Sequence, residues 1–346
     1  MTNPVSLSIN GVRYFDWNDM AVMRSVERMP WEFEFIVENE WRGDNKRRIK
    51  RGDAVQVKHG EEVLISGYID DVDPNYDATS HKLEIRGRSK LADLFDCTSF
   101  DKTFTDLSLA QIAKQICEPF GINVVDQAQQ DAPFANKAIS KGQDFWSFLE
   151  ELARMRAVRL SDSPNGDLVL VQKLTEQAAT PLVLGNNIVR ARGTRSAREL
   201  FSEYHVMTND DFVGFGASSA KDLAHPAGSV EDAIKRYRPL VVLASFDANS
   251  ADCAKRADLQ KRVNRGRSEA ITYSVNGWTQ ENQQTWRPGM KVQVRDEYAE
   301  INDVRTIMDV RSIMNDDGAG SEITVMPNYV LDLLPVPEED DAEGVF

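Results

Sequence analysis

The sequence is poor in the features that mark secreted, membrane and disulfide-stabilised proteins. It has only three cysteines among 346 residues, an odd number placed far apart (Cys97, Cys117 and Cys253). This favours thiols in a reducing compartment over a disulfide framework. No apolar run approaches the roughly 20 residues of a membrane span. The first residues, MTNPVSLSING, lack the basic and apolar regions of a signal peptide. We therefore expect a globular protein without stable membrane binding.

The chain also lacks net positive charge. Its 55 acidic residues outnumber its 41 basic ones, which gives a formal charge of −14. Such a chain repels phosphate backbones, and nucleic-acid affinity depends largely on Lys and Arg. Hydrophobic residues make up 41% of the sequence, which is enough for a buried core, and the length suggests two or three domains.

Motifs of catalysis and nucleotide binding are missing as well. There is no G-x-S-x-G, H-E-x-x-H or Walker motif. Gly214 and Gly216 form only half of a dinucleotide fingerprint and follow no βαβ unit. Neighbouring carboxylates point in different directions and cannot flank one substrate bond; these pairs are Glu150–Glu151, Asp70–Asp71 and Asp210–Asp211. We predict no catalytic, cofactor-binding or metal-binding residues, and no enzyme activity.

One segment, DVDPNYD, has the alternating oxygen ligands of a calcium loop: Asp71, Asp73, Asn75 and Asp77. An EF-hand also needs Gly at its sixth position and Glu at its twelfth, and Tyr76 and Lys82 stand there. We interpret the segment as a solvated hairpin turn. The histidines show no spacing of zinc ligands; they are His59, His81, His205 and His225.

Two basic clusters stand out against the acidic background. The first is Lys46, Arg47, Arg48, Lys50 and Arg51, and the second is Arg190, Arg192, Arg195 and Arg198. Neither has the interleaved aromatic residues of a nucleic-acid site. They are either a solvated loop and an exposed strand face, or contacts with acidic surfaces of neighbouring subunits.

The hydrophobic periodicity divides the chain. Over 1–100, short strands such as WEFEFIVEN alternate apolar residues at period two between Gly, Pro and Asn turns, which is typical of a small β-barrel. Over 101–180, Leu109, Ile112, Ala113 and Ile116 share one helical face, a second helix begins after Asp144, and a β-hairpin follows. This part is predicted to be an α/β domain.

The strand pattern returns later as a second copy of the first. Aligning Gly52 with Gly289 matches Val55-Gln56-Val57 to Val292-Gln293-Val294 and brings Ile69 opposite Ile307 with a one-residue offset. Tyr204 is taken as the counterpart of Phe35. The spacing from Phe35 to Gly52 is far shorter than that from Tyr204 to Gly289, so the second copy carries an insertion.

We therefore expect an α+β, mainly β chain with two similar small β-barrels. The second barrel covers 181–210 and 270–330. Residues 211–269 form the insertion domain, with one helix from Ser250 to Arg265 that stops at Gly266, and 331–346 form an acidic flexible tail.

Several segments together resemble one family, the Mu-type phage baseplate hub or 43 kDa-class tail proteins. This family is related to the N-terminal part of the VgrG spike proteins of type VI secretion. The segments are GQDFWSFLEELARMRAVRLSDSPNGDLVLVQ, FSEYHVM, RYRPLVVL, CAKRADLQKRVNRGRS and YSVNGWTQENQQTWRPGMKVQVRD. They span roughly 140–300, and their order and spacing make the match specific.

The resemblance implies a structural role in the virion tail baseplate, in a protein made in the bacterial host cytoplasm. Family members hold two similar barrels per chain and form homotrimers. Three chains then present a ring of six that adapts a hexameric tail tube to a threefold central spike. The implied partners are the chain itself, the tail tube protein, the spike protein and baseplate wedge proteins, with DNA only as passing cargo.

Some relatives carry fused lysozyme or needle domains, and this chain stops soon after its last strand. Any cell-puncturing activity is therefore expected in a separate partner. Two alternatives to the structural role stay open at this point: a cell-wall hydrolase, suggested by the acidic residues, and a receptor- or carbohydrate-binding tail module that uses the barrel faces.

Overall fold

A computed structural model describes residues 5–15, 17–38, 49–78, 81–193, 195–208, 224–227, 234–244 and 250–334. The chain forms two compact units. The first comprises Met1–Leu152, Arg159–Arg192 and Thr272–Val325, and the second comprises Ala153–Val158, Gly193–Ile271 and Met326–Phe346.

Strands dominate the described residues, which confirms the expected mainly β class. They are β1 Val5–Ile9, β2 Val12–Tyr14, β3 Asp19–Ser25, β4 Glu32–Glu38, β5 Ala54–His59, β6 Glu62–Tyr76, β7 His81–Ser89, β8 Lys102–Leu107, β9 Val124–Asp126, β10 Phe134–Ile139, β11 Arg159–Asp162, β12 Leu168–Val171, β13 Leu182–Val183, β14 Ile188–Gly193, β15 Glu203–Thr208, β16 Ala224–Ala227, β17 Pro239–Ala244, β18 Ile271–Asn276, β19 Lys291–Asp296, β20 Ile301–Asn315 and β21 Gly318–Pro327.

The helices are fewer: α1 Ala92–Asp96, α2 Leu109–Cys117, α3 Phe145–Met155 and α4 Ser250–Arg267, with 3-10 helices at Glu118–Phe120 and Asn328–Leu331. The predicted apolar face of α2 is buried, and Ser108 forms a capping box with Gln111. Asp144 caps α3, since its Oδ1 accepts a hydrogen bond from the Ser147 amide at 2.7 Å. Within the described ranges, no helix is both long enough and apolar enough to cross a membrane.

The two predicted copies have the same strand order within one thirteen-stranded sheet. The first repeat is β3-β4-β7-β6-β5, and the second repeat is β14-β18-β21-β20-β19. The fifteen-residue β20 joins them, because Ile301–Thr306 pair with β19 and Asp309–Met314 pair with β3. Strands β1 and β2 extend the sheet beyond β5.

The turn before β5 in the first repeat has the same hydrogen bonds as the turn before β19 in the second repeat. The Gly52 amide donates to the Ile69 carbonyl at 2.7 Å, and the Gly289 amide donates to the Ile307 carbonyl at 2.8 Å. Both glycines have positive φ, +83° and +87°, a conformation that costs other residues more. The predicted matches of Gly52 with Gly289 and of Ile69 with Ile307 are therefore confirmed.

Two details of the predicted duplication are wrong. Tyr204 is not the counterpart of Phe35, because it lies on β15 in a separate sheet with β16 and β17. The counterpart of β4 is β18, because β18 pairs with β21 in the same way that β4 pairs with β7. Nor do the described strands close either repeat into a barrel, since β20 pairs onward with β3 and the sheet continues from one repeat into the other.

The region between the repeats in sequence forms two small sheets, β8-β10 and β9-β12-β11, against which α2 and α3 supply buried side chains. The predicted hairpin after α3 is confirmed as β11 and β12. Among the cysteines, Cys117 and Cys253 are buried and Cys97 is half-buried, all as free thiols. The domain boundaries expected from the sequence are otherwise still predictions.

In the second unit, α4 packs on the sheet of β15, β16 and β17. Tyr204, Val206, Cys253 and Ala257 form its small core. The helix was predicted to stop at Gly266 but ends at Arg267. The lack of a side chain at Gly266 instead allows Val330 to pack closely, because a Cβ at position 266 would lie 2.0 Å from Val330 Cγ2.

The matched valines of the two repeats provide a test of the sheet. Val294 is fully buried, so Val294→Asp places an unpaired charge in the core, and we expect a loss of roughly 3 kcal/mol or more in unfolding free energy. Urea denaturation measures it. The control is Gln293→Glu on the opposite strand face, which should change little; a Val294→Asp protein as stable as the wild type would contradict the strand assignment.

Candidate functional site

The polar side of the main sheet brings many charged side chains together. Strand alternation buries Phe33, Phe35 and Ile85 on one side of the sheet and turns charged neighbours to the other. We call this polar side of β3, β4, β6, β7 and β20 the charged face. Its charged members are Asp19, Glu32, Glu34, Asp70, Asp71, Asp73, Glu84, Arg86, Arg88, Asp309 and Arg311.

The charged face is continuous from the second repeat into the first. Arg311 on β20 lies opposite Met23 on β3, which lies opposite Glu32 on β4, which in turn lies opposite Arg88 on β7. The face therefore crosses the boundary between the repeats without interruption.

Arginines on this face are held by carboxylates. Arg88 Nε lies 2.7 Å from Asp70 Oδ2, and its Nη2 lies 2.7 Å from Asp96 Oδ2. Arg86 Nη2 lies 2.5 Å from Asp73 Oδ2. These hydrogen bonds raise the pKa of Arg88 above its ordinary value. Exposed ion pairs add little stability, so these pairs contribute little to the stability of the fold.

Acidic residues outnumber arginines on the charged face, and two of them meet. The carboxyl groups of Glu34 and Glu84 are hydrogen-bonded, which raises the pKa of Glu84, and burial adds to the effect. Arg86 opposes it with its charge. The surface is acidic as a whole, in keeping with the charge of the chain.

Buried polar contacts close the junction between the repeats. The Arg24 side chain is only 1% exposed, and its Nη2 donates to the Trp286 carbonyl at 2.6 Å. Glu62 accepts hydrogen bonds from the Thr285 amide at 3.1 Å and hydroxyl at 2.9 Å. Burial lowers the pKa of Arg24 to about 10, while the negative charge of Glu62 acts to raise it. Glu62 is thus the counter-charge of a buried arginine.

A second buried group, Asp162, links the β11–β12 hairpin to the first repeat. Its Oδ2 accepts from the Ser89 hydroxyl and from the Trp31 amide at 3.2 Å, and its Oδ1 accepts from the Ser163 amide at 2.8 Å. Burial raises the pKa of Asp162 to about 7, although the three hydrogen bonds act to lower it.

Sequence reasoning missed these buried groups, although a signal was present. Arg24 follows Met20 and Val22 at period two, which puts it on the core-facing side of β3. Asp162 likewise follows Val158 and Leu160. A charged residue at a core-facing position of a strand indicates a buried partner.

The prediction that the calcium-like segment forms a hairpin turn is wrong, because Asp71, Asp73 and Asn75 lie along strand β6. Asp71 and Asp73 lie on β6 opposite Arg86 and Glu84 of β7. Tyr76 stacks on His81, with ring centroids 6.0 Å apart. In the described part of the chain, His, Cys, Asp and Glu side chains nowhere gather in groups of three that could hold a metal ion.

The histidines lie in separate surroundings. His59 is half-buried and stacks on Trp278, with ring centroids 5.7 Å apart, and burial lowers its pKa. His205 Nε2 lies 3.0 Å from Glu203 Oε2. His225 is on β16.

The described arginines of the second basic cluster are exposed: Arg190, Arg192, Arg195 and Arg198. Arg190 and Arg192 lie on β14, at one end of the main sheet. Of the first cluster, Lys50 and Arg51 are exposed. Several predicted features lie outside the described residues: Lys46, Arg47, Arg48, Asp210, Asp211, Gly214, Gly216 and 335–346 of the acidic tail.

Comparison with known proteins finds similarity to phage baseplate proteins. The model described as Mu phage baseplate assembly protein GpP-like, N-terminal, matches residues 4–89, and that described as baseplate hub protein gp44-like, second domain, matches residues 91–172. The baseplate hub protein gp44 of Escherichia phage Mu is 27% identical over 349 residues, covering 98% of this chain and 91% of gp44. This chain is similar to the Mu-type baseplate hub proteins.

Solved structures agree with this similarity. The 43 kDa tail protein of prophage MuSo2 from Shewanella oneidensis superposes with a TM-score of 0.84 at 28% identity, covering 95% of this chain and 99% of the tail protein. A tail protein from Neisseria meningitidis MC58 gives 0.80 at 21% identity, with 96% and 99% covered. The resemblance and the tail-hub fold inferred from sequence are confirmed.

The relationship to type VI secretion is also confirmed at the level of the fold. An E. coli component of that system, described as similar to the T4 tail proteins gp27 and gp5, superposes with a TM-score of 0.57 at 11% identity, covering 96% of this chain and 80% of the component.

The repeat junction gives a second prediction. In Glu62→Gln the amide can still accept from Thr285, but Arg24 loses its counter-charge, and we expect a loss of about 3 kcal/mol in unfolding free energy because a buried charge is left uncompensated. The control is the neighbouring Glu61→Gln, which breaks an exposed pair with Arg13 and should have little effect. Equal effects of the two substitutions in urea denaturation would contradict the role of Glu62.

Asp162 gives a third prediction. Its folded-state pKa of about 7 lies above the ordinary value of 3.8, so the folded protein binds more protons than the unfolded chain between these pH values. Unfolding free energy should therefore fall as the pH rises from about 4 to about 7, by on the order of 2–4 kcal/mol.

Urea denaturation across that pH range measures the slope. Asp162→Asn should flatten it because the titrating group is gone, whereas Asp71→Asn, which changes an exposed carboxylate, should leave it as in the wild type. A slope that survives in Asp162→Asn would show that Asp162 does not cause it.

Proposed function

We propose that this chain is a baseplate hub subunit and that three copies of it form a ring that adapts the hexameric tail tube to the threefold central spike. The observation that carries the proposal is the duplication: two repeats of the same strand order and the same glycine turn stand in one sheet. A trimer then presents six similar modules, which match a sixfold partner. It also presents three identical chains, which match a threefold partner.

The ends of the main sheet support assembly. Strands β14 and β2 stand at its two ends, and an edge strand presents backbone donors and acceptors that proteins normally cover. The side chains of Val189, Arg190 and Arg192 on β14 are exposed. We assign this edge to a subunit contact in which the two arginines meet an acidic surface of the next protomer.

The charged face suits the wall of a channel. An acidic surface repels the phosphate backbone, so DNA would pass along it without being retained. The eight acidic residues of this face outnumber its three arginines, so the face stays acidic although Glu32 lies opposite Arg88 and Glu34 lies opposite Arg86. We therefore place the charged face toward the lumen of the ring.

The role we propose is structural rather than catalytic, since the relatives of this chain are named baseplate hub and tail proteins. Its partners would be further copies of itself, the tail tube protein, the central spike protein and baseplate wedge proteins. It would be made in the host cytoplasm and reside in the virion tail. A cell-wall hydrolase has no specific support among the described residues.

Light scattering on the purified protein tests the ring. We expect a particle of three 39.0 kDa chains at micromolar concentration, and dissociation on Arg190→Glu combined with Arg192→Glu, because like charges would then meet at the contact. The control, Lys50→Glu with Arg51→Glu, reverses two exposed charges elsewhere and should stay trimeric. A stable wild-type monomer would contradict the proposal.

A further inference from the structure

A polar groove lies on β1, β5 and β6, on the side of these strands that is turned away from the hydrophobic core. Its floor contains a row of polar side chains across the three strands, because Ser8 pairs with Gln56 and Gln56 pairs with Ser66. In the next row, Ala54 lies opposite Tyr68. The volume of the groove is about 590 Å³, which is within the range of small-molecule sites.

The wall of the groove comes from the sheet of β9, β12 and β11. Asn123 precedes β9, and Asn165 and Asp167 lie in the connection between β11 and β12. This wall touches the floor directly, since a Cβ added at Gly166 would lie 2.7 Å from the Ser66 carbonyl oxygen. Floor and wall belong to the same compact unit, so the shape of the groove is set within that unit.

The lining of the groove is nearly neutral, unlike the charged face. Among the described residues that line it, Lys90 supplies a positive charge and Asp167 a negative one, and the other side chains are uncharged. Phosphate is recognised through charge-assisted hydrogen bonds from arginine and lysine, and here a carboxylate offsets the amine. An apolar ligand would leave the buried polar groups of the lining without partners. The groove therefore suits a polar ligand without charge.

Most polar groups of the lining can both donate and accept hydrogen bonds, as amides and hydroxyls do. The amides are those of Asn10, Gln56, Asn123 and Asn165, and further hydroxyls come from Ser8 and Tyr68. Part of this capacity is used within the protein, because Gln56 Nε2 donates to Ser66 Oγ at 3.4 Å and Asn123 Nδ2 donates to Asp167 Oδ1 at 3.1 Å. The carbonyl oxygens of both amides still have lone pairs for a ligand.

We propose that this groove binds a neutral saccharide. A sugar hydroxyl donates and accepts at one oxygen, as the amides of Gln56 and Asn165 require, and Tyr68 adds aromatic surface for the apolar side of a sugar ring. The described lining includes no charged member of the charged face. The inference therefore goes beyond the structural role proposed above and does not rest on it.

An array of uncharged oligosaccharides, probed with the purified full chain, tests the site. We expect binding, and isothermal titration calorimetry with the strongest binder then gives its affinity. Binding to N-acetylglucosamine oligomers would support the proposal with a cell-wall glycan as the source, and binding to hexose oligomers would support it with an outer polysaccharide as the source. A chain that binds none of these oligosaccharides would overturn the proposal.

Variants locate the binding in the groove. Ala54 is exposed on the floor, so Ala54→Trp fills the groove without removing a polar group and should weaken binding by roughly tenfold or more. Ala54→Ser should bind as the wild type does. Asn165→Ala removes one amide of the wall and should weaken binding several-fold, whereas Asn302→Ala removes an exposed amide of β20 outside the groove and should not.

Thermal melting of each variant separates a loss of binding from a loss of folding. Because the substituted side chains are exposed, we expect melting temperatures close to that of the wild type. A folded Ala54→Trp protein that binds the saccharide with unchanged affinity would overturn the proposal, because the ligand would then occupy another place.

Discussion

The pairing of β20 with β3 is the contact on which the arrangement of the repeats depends. Six residue pairs, from Asp309–Ser25 to Met314–Met20, connect the last long strand of one repeat to the first strand of the other. Backbone hydrogen bonds fix the register of such a pair, and a shift by one residue would turn every side chain to the other face. The continuity of the charged face follows from this register.

Buried polar groups reinforce the same boundaries at an energetic cost. Arg24 and Glu62 act across the junction of the repeats, and Asp162 acts between the β11–β12 hairpin and the first repeat. Apolar side chains of similar volume often stabilise a fold as well or better. The polar groups instead favour one arrangement of the neighbouring strands, because their hydrogen bonds form only in that arrangement. They therefore fix the position of one repeat relative to the other.

Sequence patterns were sufficient for local structure and for the duplication. The capping residues Ser108 and Asp144 marked the starts of α2 and α3, and Gly52 with Val55 and Val57 identified the second copy at Gly289. These signals reflect backbone conformation and burial, which act over a few residues. The same reasoning assigned no site residues, and the charged face became visible only when the strand order was known.

Long-range pairing was beyond such patterns. Tyr204 was assigned to the second repeat because alternating strands look alike in any sheet, and only the pairing of β18 with β21 reveals the true counterpart of β4. The sequence pattern predicts that each copy closes into its own barrel. Strand β20, however, is long enough to pair with a strand of each repeat. The sequence predicts a helix end at Gly266, but this glycine makes room for Val330. Local patterns do not reveal that contact, because Val330 lies far along the chain.

The central claim is that one chain supplies two copies of one module to a six-part annulus. Electron cryomicroscopy of the purified assembly, viewed along its axis, tests it most directly. The account predicts a ring of three chains in which six similar sheets surround a channel and the charged faces point inward. A particle in which the two repeats of each chain take unrelated positions, with only one of them at the channel, would contradict it.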